Sequence, residues 1–513
     1  MGSLNNRLVK FLERNKLICD NQIGFRKKAR TSDHIFILNT LFNKFCSNNK
    51  RLYLCFVDFR KAYDKVWQDA LMLKLLKMGI KGNFFGTIRA MYENCNSCIK
   101  SNGMISNTFE CKSGVKQGDV LSPNLFNIYI NDLPNIFDGD ADNPKLGELS
   151  IHCLMYADDL VIVSLTEDGL QRQLDKLCTY CKEWDLTINV KKTQVMAMSN
   201  SSKECPNSII RFGEETLEWV KTYKYLGVMI NANGNFTSSS ENLCIRGWKA
   251  VFKIKSALKD VNINPELKLK LFDALVKPII CYNCEIWGVA NNIFNSKNLH
   301  QVWERVEKLP IERFQLKFCR GILGVQPNTH KSAIMGELGR LPLFLYTIKS
   351  TLNYLKHINE VKTDRPLLNA AIEVDNTLCI SKSWKKRLTK LLSLFNVNTD
   401  NVLDDNFIST VFSNLKNSYL KYWKDSLGDK KSMDGKLYIY RNIKNHFGME
   451  PYLRQIVTFK FRKALTAFRL SAHNLEIERG RYIRDKYKPN ANNSSCIRRT
   501  ERFCTLCFEL DKN

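Results

Sequence analysis

The chain has 513 residues, 44% of them hydrophobic, and a formal net charge of +27, which suits about three basic globular domains of roughly 150 residues each. No run of residues reaches the ~18 consecutive apolar positions of a membrane helix, and the N-terminus lacks the apolar stretch of a signal peptide. Composition therefore argues against a membrane protein, and 18 cysteines without a secretory context favour reduced thiols inside the cell, in the nucleus or the cytoplasm.

Elements of mixed type are predicted in the first third of the chain. Apolar residues at three- and four-residue steps predict helices, and short β-branched or aromatic runs predict strands. Thr31 or Ser32 can cap the first of these helices. The predicted elements are a helix at 31–49, a strand at 51–59, a helix at 62–79 and a helix at 121–135.

The run CLMYADDLVIV (153–163) is apolar on both sides of Ala157-Asp158-Asp159. This pattern predicts two strands joined by a tight turn. The elements expected after it are an amphipathic helix near 170–184, strands at 186–198 and 223–230, and a boundary loop at 231–242. Beyond that loop the pattern is mostly helical, so the order is mixed α/β first and largely α later.

Three carboxylates occupy unusual positions, because charge inside an apolar run is costly unless it is paired or metal-bound. Asp158 and Asp159 interrupt one apolar run, and Asp58 ends another. If the two strands pair, the three acids meet and would repel one another without a divalent cation. Two Mg²⁺ ions at such a site can activate a hydroxyl and stabilise a leaving pyrophosphate. The alternative is a solvated hairpin turn, since turns favour Asp.

Six blocks follow one another in the order typical of a polymerase: LNNRLVKFLERNKLICDNQIGFRKKARTSDHIFIL (4–38), FVDFRKAYDKVW (56–67), SGVKQGDVLSPNLFNIYINDL (113–133), YADDLVIVS (156–164), INVKKTQVM (188–196) and YKYLGVMI (223–230). Two later blocks lie at 321–343 and 460–482. In these blocks and their order, the chain resembles the reverse transcriptases of non-LTR (LINE-type) retrotransposons.

This resemblance implies an α+β right-hand polymerase with an antiparallel palm sheet. Fingers and palm would span residues 1–237, a helical thumb 238–360, and a mostly helical basic region 361–513. It also implies RNA-directed DNA synthesis from dNTPs on an RNA template, with a DNA primer or target. Two Mg²⁺ ions, with Mn²⁺ as a substitute, would be the cofactor.

The resemblance also assigns roles around the metals. Asp58 and Asp158 would hold both ions, the backbone carbonyl of Phe59 would complete one coordination sphere, and Asp159 would be the weaker ligand or its neighbour. Lys192 matches a lysine proposed to give a proton to pyrophosphate; a plain surface lysine is the alternative.

Five residues would bind the incoming nucleotide, and Phe59, already named at the metals, is one of them. By the resemblance, Tyr63 excludes a ribose 2′-hydroxyl by a clash, Gln117 faces the nucleotide, and Gly118 lets the backbone approach it. Arg26 would clamp the triphosphate through bidentate hydrogen bonds, or it is one basic residue on a solvated loop. Tyr225, Leu226 and Gly227 match the primer-grip turn, which presses the primer end toward the metals.

Both ends of the chain depart from the family pattern. The resemblance starts inside the family's first conserved block, with no endonuclease before it. We therefore expect a truncated form of the family, which could act together with a separate endonuclease. Cys504 and Cys507 match the start of a zinc knuckle whose last two ligands are missing, with Cys496 nearby. Zinc needs four ligands, so none is expected. The remaining CxxC pairs, at 95/98, 178/181 and 281/284, are expected to be structural thiols.

Positive charge is concentrated in the last part of the chain, where residues 301–513 carry 38 Lys and Arg against 21 Asp and Glu. From 454 to 502, aromatic residues alternate with basic ones, which suits unpaired nucleic acid; a helical domain with an aromatic core is the alternative.

Two other functions stay open at this stage. One is a truncated or domesticated element protein that binds RNA without polymerising, and the intact acids, aromatic and glutamine named above disfavour it. The other is a group II intron reverse transcriptase with maturase function, which the blocks at 321–343 and 460–482 disfavour.

Overall fold

The computed structural model describes residues 2–46, 50–93, 95–200, 206–259, 261–289, 292–397, 404–428, 437–455 and 458–472. The chain divides into two compact units. Unit 1 contains Met1–Ser239 and Tyr354–Arg387, and unit 2 contains Ser240–Asn353 and the described residues from Leu388 onward. Residues 361–387, placed in the C-terminal region by sequence, therefore pack with unit 1.

Fifteen strands occur among the described residues, all of them in unit 1. They are β1 (Leu52–Asp58), β2 (Asn96–Ser97), β3 (Lys100–Ser101), β4 (Met104–Ile105), β5 (Phe109–Glu110), β6 (Lys145–Leu146), β7 (Leu149–Ser150), β8 (Cys153–Tyr156), β9 (Asp159–Ser164), β10 (Gln194–Met198), β11 (Arg211–Phe212), β12 (Glu215–Thr216), β13 (Glu218–Trp219), β14 (Thr222–Tyr225) and β15 (Val228–Asn231).

A five-stranded sheet forms the centre of unit 1, in the order β13-β10-β1-β9-β8. Its pairs are antiparallel except β10 with β13. β1 is buried from Leu52 to Val57, as a central strand covered on both faces should be. Alternate residues of β1 face two layers: Cys55 packs into the main helical core, and Phe56 packs against Tyr223 on the opposite face. The predicted α+β class with an antiparallel sheet is confirmed.

The helices cover this sheet in unit 1 and make up unit 2. They are α1 (Gly2–Arg14), α2 (Thr31–Phe45), α3 (Gln68–Lys77), α4 (Gly82–Tyr92), α5 (Ser122–Tyr129), α6 (Glu167–Glu183), α7 (Thr237–Ala257), α8 (Pro265–Leu271), α9 (Lys277–Ile280), α10 (Cys284–Trp287), α11 (Leu299–Val306), α12 (Pro310–Leu323), α13 (Lys331–Leu338), α14 (Leu343–Val361), α15 (Pro366–Thr377), α16 (Trp384–Ser393), α17 (Asp405–Ser426), α18 (Tyr438–Ile443) and α19 (Phe459–Arg469). None of the described helices is long and apolar enough to span a membrane.

The segment that returns to unit 1 packs on α2. The Tyr354 hydroxyl donates to the buried Asp33 carboxylate at 3.0 Å, and Phe36 meets the rings of Tyr354 and Trp384 edge-on. The backbone N–H of Leu367 donates to Asp20 at 2.7 Å. This segment therefore fixes both α2 and the loop that precedes it.

Several predicted elements differ from the observed ones. The helix expected at 62–79 begins only at Gln68, because the backbone carbonyls of Tyr63 and Val66 accept hydrogen bonds from residues 115 and 114 instead of continuing a helix. The strand expected at 223–230 is the hairpin β14–β15, since Leu226 and Gly227 have positive φ values of 45° and 82°. Of the strand expected at 186–198, only β10 forms.

Candidate active site

The acidic pair lies at the hairpin that joins β8 to β9. Tyr156 pairs with Asp159 across it, so Ala157 and Asp158 form a two-residue turn. Ala157 has φ +55°, positive only at the first central position as in a type II′ turn. Asp58 ends β1 and pairs directly with Asp159 of β9. The sheet register thus brings the three carboxylates predicted as a cluster to one edge.

These carboxylates disturb one another electrostatically. Burial and the neighbouring Asp58 raise the pKa of Asp158 above its ordinary value, although a backbone hydrogen bond opposes the shift. Burial, together with Asp158 and Asp58, raises the pKa of Asp159 to about 6. Both shifts mean that the ionised forms lack sufficient positive charge nearby, and a cation at this edge would relieve them.

The segment 189–193 holds Asp58 through its backbone. The N–H of Asn189 donates to the Asp58 carbonyl at 2.7 Å, and the N–H of Asp58 donates to Thr193 Oγ1 at 3.2 Å. Lys192 Nζ lies 3.8 Å from Asp58 Oδ2 on a mostly exposed side chain. The structure therefore places the predicted proton donor beside the cluster. Thr193 and Asn189 are positioning residues that sequence reasoning did not single out.

Tyr63 and the loop with Gln117 lie side by side. The ring of Tyr63 stacks on Phe126 with centroids 4.8 Å apart. Burial, followed by the charge of Asp158 and the neighbouring Tyr156, raises its pKa to about 12, so Tyr63 is close to the carboxylates and stays protonated. The N–H of Val115 donates to the Tyr63 carbonyl at 2.8 Å, and Gln117 Nε2 donates to Asp64 at 2.7 Å.

Gly118 follows on this loop with φ +84°, a conformation that glycine adopts without strain. The structure therefore brings Tyr63, Gln117 and Gly118 to one region next to Asp158.

The β14–β15 hairpin lies against the other side of the acidic edge. Tyr223 stacks on Phe56 at 4.1 Å, and burial with the charges of Asp159 and Asp58 raises its pKa to about 12. The buried Tyr225 hydroxyl lies 3.1 Å from His34 Nδ1. The predicted primer-grip turn is thus fixed next to the carboxylates by two tyrosines. Tyr223 was missed from the sequence, and its alternation with Tyr225 in TYKY is the signal that could have indicated it.

Arg26 is placed differently from the prediction. Its Nε and Nη2 donate to the two Glu13 oxygens at 3.0 and 2.9 Å, and its Nη1 donates to the carbonyls of Cys19 and Gln22. The side chain is only 8% exposed. Nearly every donor is used within α1 and its following loop, so a triphosphate contact would require Arg26 to leave these partners. This geometry supports a structural role and not the predicted clamp.

Gln22 is a second residue that sequence reasoning missed. It is fully buried and its side-chain amide bonds the backbone of Ala157 in the acidic turn. The only signal in the sequence is an uncharged polar residue just before Ile23-Gly24 in a loop rich in charge.

No group of three or more His, Cys, Asp or Glu side chains in the described part of the chain is arranged to hold a metal by itself. The donor set at the turn still fits a hard cation, since Mg²⁺ needs only one or two protein carboxylates when substrate phosphates and water supply the rest. The backbone carbonyl of Phe59, next to Asp58, is the further oxygen expected there.

The later predictions fall in unit 2 or outside the described residues. Phe459, Phe461 and Phe468 of α19 are largely exposed, whereas the Tyr452 hydroxyl is bonded to the buried Glu337. Base stacking on these exposed rings stays a prediction. The cysteines of the proposed knuckle remnant, Cys496, Cys504 and Cys507, lie outside the described residues, as do Tyr482 and Tyr487.

Known proteins are similar to the part of the chain that contains these residues. Residues 3–230 match the family described as "Reverse transcriptase (RNA-dependent DNA polymerase)". The RNA-directed DNA polymerase from mobile element jockey of Drosophila funebris is 26% identical over 297 residues, 56% of this chain and 31% of that protein. The probable RNA-directed DNA polymerase from transposon X-element of Drosophila melanogaster is 24% identical over 313 residues, 59% of this chain and 33% of that protein.

The chain therefore spans about a third of the length of the curated relatives it matches. Among solved structures, the telomerase of Candida albicans in complex with a TWJ fragment of telomeric RNA matches with a TM-score of 0.38 and 12% identity, covering 78% of this chain and 59% of that one.

Proposed function

Since the chain carries a reverse transcriptase domain over residues 3–230 and is related to the polymerases of non-LTR retrotransposons, we propose that it copies an RNA template into DNA. In the proposed reaction, the 3′-hydroxyl of a DNA primer attacks the α-phosphate of a dNTP. A new phosphodiester bond forms and pyrophosphate leaves. RNA template, DNA primer or target, and dNTPs are the proposed partners.

The observation that carries this proposal is the meeting of Asp58 with the Asp158–Asp159 turn at one sheet edge. Their pairing comes from the β1–β9 register, and the charge of Asp58 contributes to the raised pKa values of both turn carboxylates. A structural ion-pair site would balance its carboxylates with as many cations, whereas these three carboxylates have Lys192 beside Asp58. Carboxylates gathered at the end of two paired strands fit metal-assisted nucleotidyl transfer.

Each residue at this edge has a proposed role. Two Mg²⁺ ions, replaceable by Mn²⁺, would make the primer hydroxyl a better nucleophile and neutralise the leaving pyrophosphate. Asp58 and Asp158 would bind the ions, with Asp159 as the weaker ligand and the Phe59 carbonyl as a further donor. Lys192, 3.8 Å from Asp58, would give a proton to pyrophosphate.

The nucleotide is proposed to bind between Tyr63 and the 113–118 loop. Tyr63 has little freedom to move aside, because its ring stacks on Phe126 and its carbonyl is bonded to Val115. A fixed ring beside Asp158 would clash with a ribose 2′-hydroxyl and so favour dNTPs. Gln117 and Gly118 would contact the nucleotide, and Tyr225, Leu226 and Gly227 would align the primer end.

The test is extension of an oligo(dT) primer on a poly(rA) template with Mg²⁺ and dTTP. We expect Asp58→Ala and Asp158→Ala to abolish extension, because each removes a ligand. The matched control is Asp175→Ala on the exposed face of α6, which should extend like the wild-type chain. Extension by either active-site variant at the wild-type rate would overturn the proposal. A wild-type chain that binds RNA but extends nothing would favour the non-polymerising RNA-binding protein.

A further inference from the structure

The catalytic turn is held by a side chain from a distant part of the chain. Gln22 Oε1 accepts hydrogen bonds from the N–H of Ala157 and the N–H of Gly24, each at 2.8 Å, and Gln22 Nε2 donates to the Ala157 carbonyl at 3.2 Å. One amide thus satisfies both backbone groups of Ala157. The orientation of the amide is fixed, because two donors face the oxygen and one acceptor faces the nitrogen.

Ala157 needs such support because its backbone is strained. A non-glycine residue at φ +55° is strained, because its β-carbon crowds the backbone in the left-handed region. Strain of this kind persists only when the surroundings hold it in place. Asp158 follows Ala157 directly, so the position of its carboxylate depends on the same backbone.

The segment that carries Gln22 is itself anchored to the sheet. Ile23 N–H donates to the Met155 carbonyl at 3.0 Å, and Met155 N–H donates to the Asn21 carbonyl at 2.8 Å. Asn21 Nδ2 donates to the Cys153 carbonyl at 2.8 Å. This segment therefore runs along β8 as a short parallel bridge and ends at the turn.

Further contacts hold this segment, 21–24, from its outer side. Asn127 Nδ2 donates to the Gly24 carbonyl at 2.7 Å. Arg26 joins the following residues to Glu13 of α1, and Leu367 holds Asp20 before it. A β-carbon at Gly24 would lie 2.3 Å from Ala157 N, so the segment and the turn are in direct contact. Gln22 has no freedom to act elsewhere.

We propose that Gln22 is a positioning residue for metal-dependent catalysis: its amide holds Ala157 in the strained turn and thereby fixes the position of Asp158 near Asp58. The inference rests on the proposed function, because it assigns Asp158 to the metal. It also gives Arg26 a role. Its hydrogen bonds to Glu13 and to the Cys19 and Gln22 carbonyls hold the segment that carries Gln22, instead of binding a substrate.

The test uses two substitutions of Gln22 in the full chain. Gln22→Met keeps the length of the side chain and removes all three hydrogen bonds. In Gln22→Glu, a protonated carboxyl can still donate to the Ala157 carbonyl and accept from the two N–H groups, whereas the ionised form has no donor and repels that carbonyl. Gln22→Glu should therefore work at low pH and fail at high pH.

We expect Gln22→Met to lower the extension rate and the affinity for Mn²⁺ by about 10- to 100-fold, as for residues that orient metal ligands. The rate of Gln22→Glu, divided by the wild-type rate at the same pH, should fall toward the Gln22→Met value as pH rises. This ratio removes the titration of Asp158 and Asp159, which both proteins share, and of Glu13, Asp20 and His34, which lie near this segment. Gln171→Glu, the same change at a half-buried glutamine of α6 whose amide also exchanges hydrogen bonds with a backbone group, that of Arg211, should keep a constant ratio of one.

Mn²⁺ binding, followed by electron paramagnetic resonance of the free ion, separates this inference from the proposed function. If the wild-type chain extends primers and both Gln22 variants match it in extension and Mn²⁺ affinity at every pH, the positioning role is wrong and the polymerase proposal stands. If the wild-type chain extends nothing, weaker Mn²⁺ binding by Gln22→Met still supports the role, and equal or absent binding overturns it. Should Gln22→Met not fold, the pH profile of Gln22→Glu alone decides.

Discussion

Two of the polar sites in unit 1 differ in how their charges are matched by opposite charges. At one, the Lys74 ammonium donates to the Tyr129 carbonyl, to Asp132 at 2.7 Å and to the Tyr180 hydroxyl at 3.1 Å, and it lies 3.4 Å from the centre of the Trp184 ring. At the other, Asp58, Asp158 and Asp159 lie at the same end of the paired strands β1 and β9.

Both sites carry the cost of burial, but only the lysine site matches its charge within the protein, because at the acidic site Lys192 accompanies three carboxylates. Burial lowers the pKa of Lys74 to about 8 although Asp132 opposes the shift, so the lysine stays charged at neutral pH. Burial and like charge both raise the pKa of Asp159. A polar site that serves the fold is completed by the protein itself, whereas the acidic site is completed only by a cation from outside. Removing the charge of Lys74 should therefore lower stability and leave activity unchanged. Removing a charge at the acidic site should lower activity without lowering stability.

The largest expected effect is the loss of activity in Asp158→Asn. The amide keeps the shape of the carboxylate but binds a cation far more weakly, so the extension rate should fall by about 10³-fold or more. Because a repelling charge is also removed, the metal-free protein should melt at the same temperature as the wild type or higher. Primer extension and thermal melting of the same sample measure both. A marked fall in Tm would mean that Asp158 belongs to the fold, and the contrast between the sites would be lost.

The second effect is the loss of stability in Lys74→Ala. Removing one partner of a buried ion pair costs about 3–5 kcal/mol, and the lower end is expected here because Asp132 keeps contact with water. Urea unfolding measures this change, with the exposed Lys77→Ala on the same helix as the control. The extension rate per folded molecule should stay at the wild-type value. A protein of normal stability with impaired extension would place Lys74 with the functional residues.

The contrast also shows how much of the site could be predicted from the sequence. The apolar runs around Asp58 and Asp158 indicate buried strands, and two such strands with acids at their ends suggest a shared edge. That reasoning found the three carboxylates and the tight turn, because strand patterns are local. The same kind of pattern suggested a single strand at 223–230, where two positive φ values at Leu226 and Gly227 make a hairpin.

Other features depend on contacts between distant residues and leave no local pattern. Gln22 and Ala157 are 135 positions apart, and nothing near Gln22 indicates its partner. Arg26 shows the reverse problem: the resemblance assigns it to the triphosphate, but it forms an ion pair with Glu13 on the preceding helix. The sequence shows which charged residues are present, but only the fold shows which of them are paired with one another.

The third effect is a pH dependence that comes from Asp159. Its folded-state pKa of about 6 lies above the ordinary 3.8, so the folded protein holds this proton more tightly than the unfolded chain does. The free energy of unfolding without metal should therefore fall as pH rises through this interval, and the loss should be complete above about pH 6. Extension should rise over the same range, because ionised carboxylates bind the cation.

Asp159→Asn removes this titration and should flatten the stability profile. Urea unfolding at several pH values, with and without Mg²⁺, measures the change; activity should fall by about tenfold, less than for Asp158→Asn, since Asp159 is the weaker ligand. A profile as steep as that of the wild type would show that another group carries the titration.

The smallest expected effect is at the completed site, in Tyr180→Phe. The Tyr180 hydroxyl donates to Asp132 at 2.6 Å and accepts from Lys74. The phenylalanine ring of the variant should keep the packing of the tyrosine ring. Loss of the hydroxyl should cost about 1 kcal/mol in urea unfolding, because Lys74 still has Asp132, the Tyr129 carbonyl and the Trp184 ring. Extension should not change. A cost as large as that of Lys74→Ala would mean that the lysine depends on this one hydroxyl; no cost at all would mean that the remaining partners already satisfy the charge.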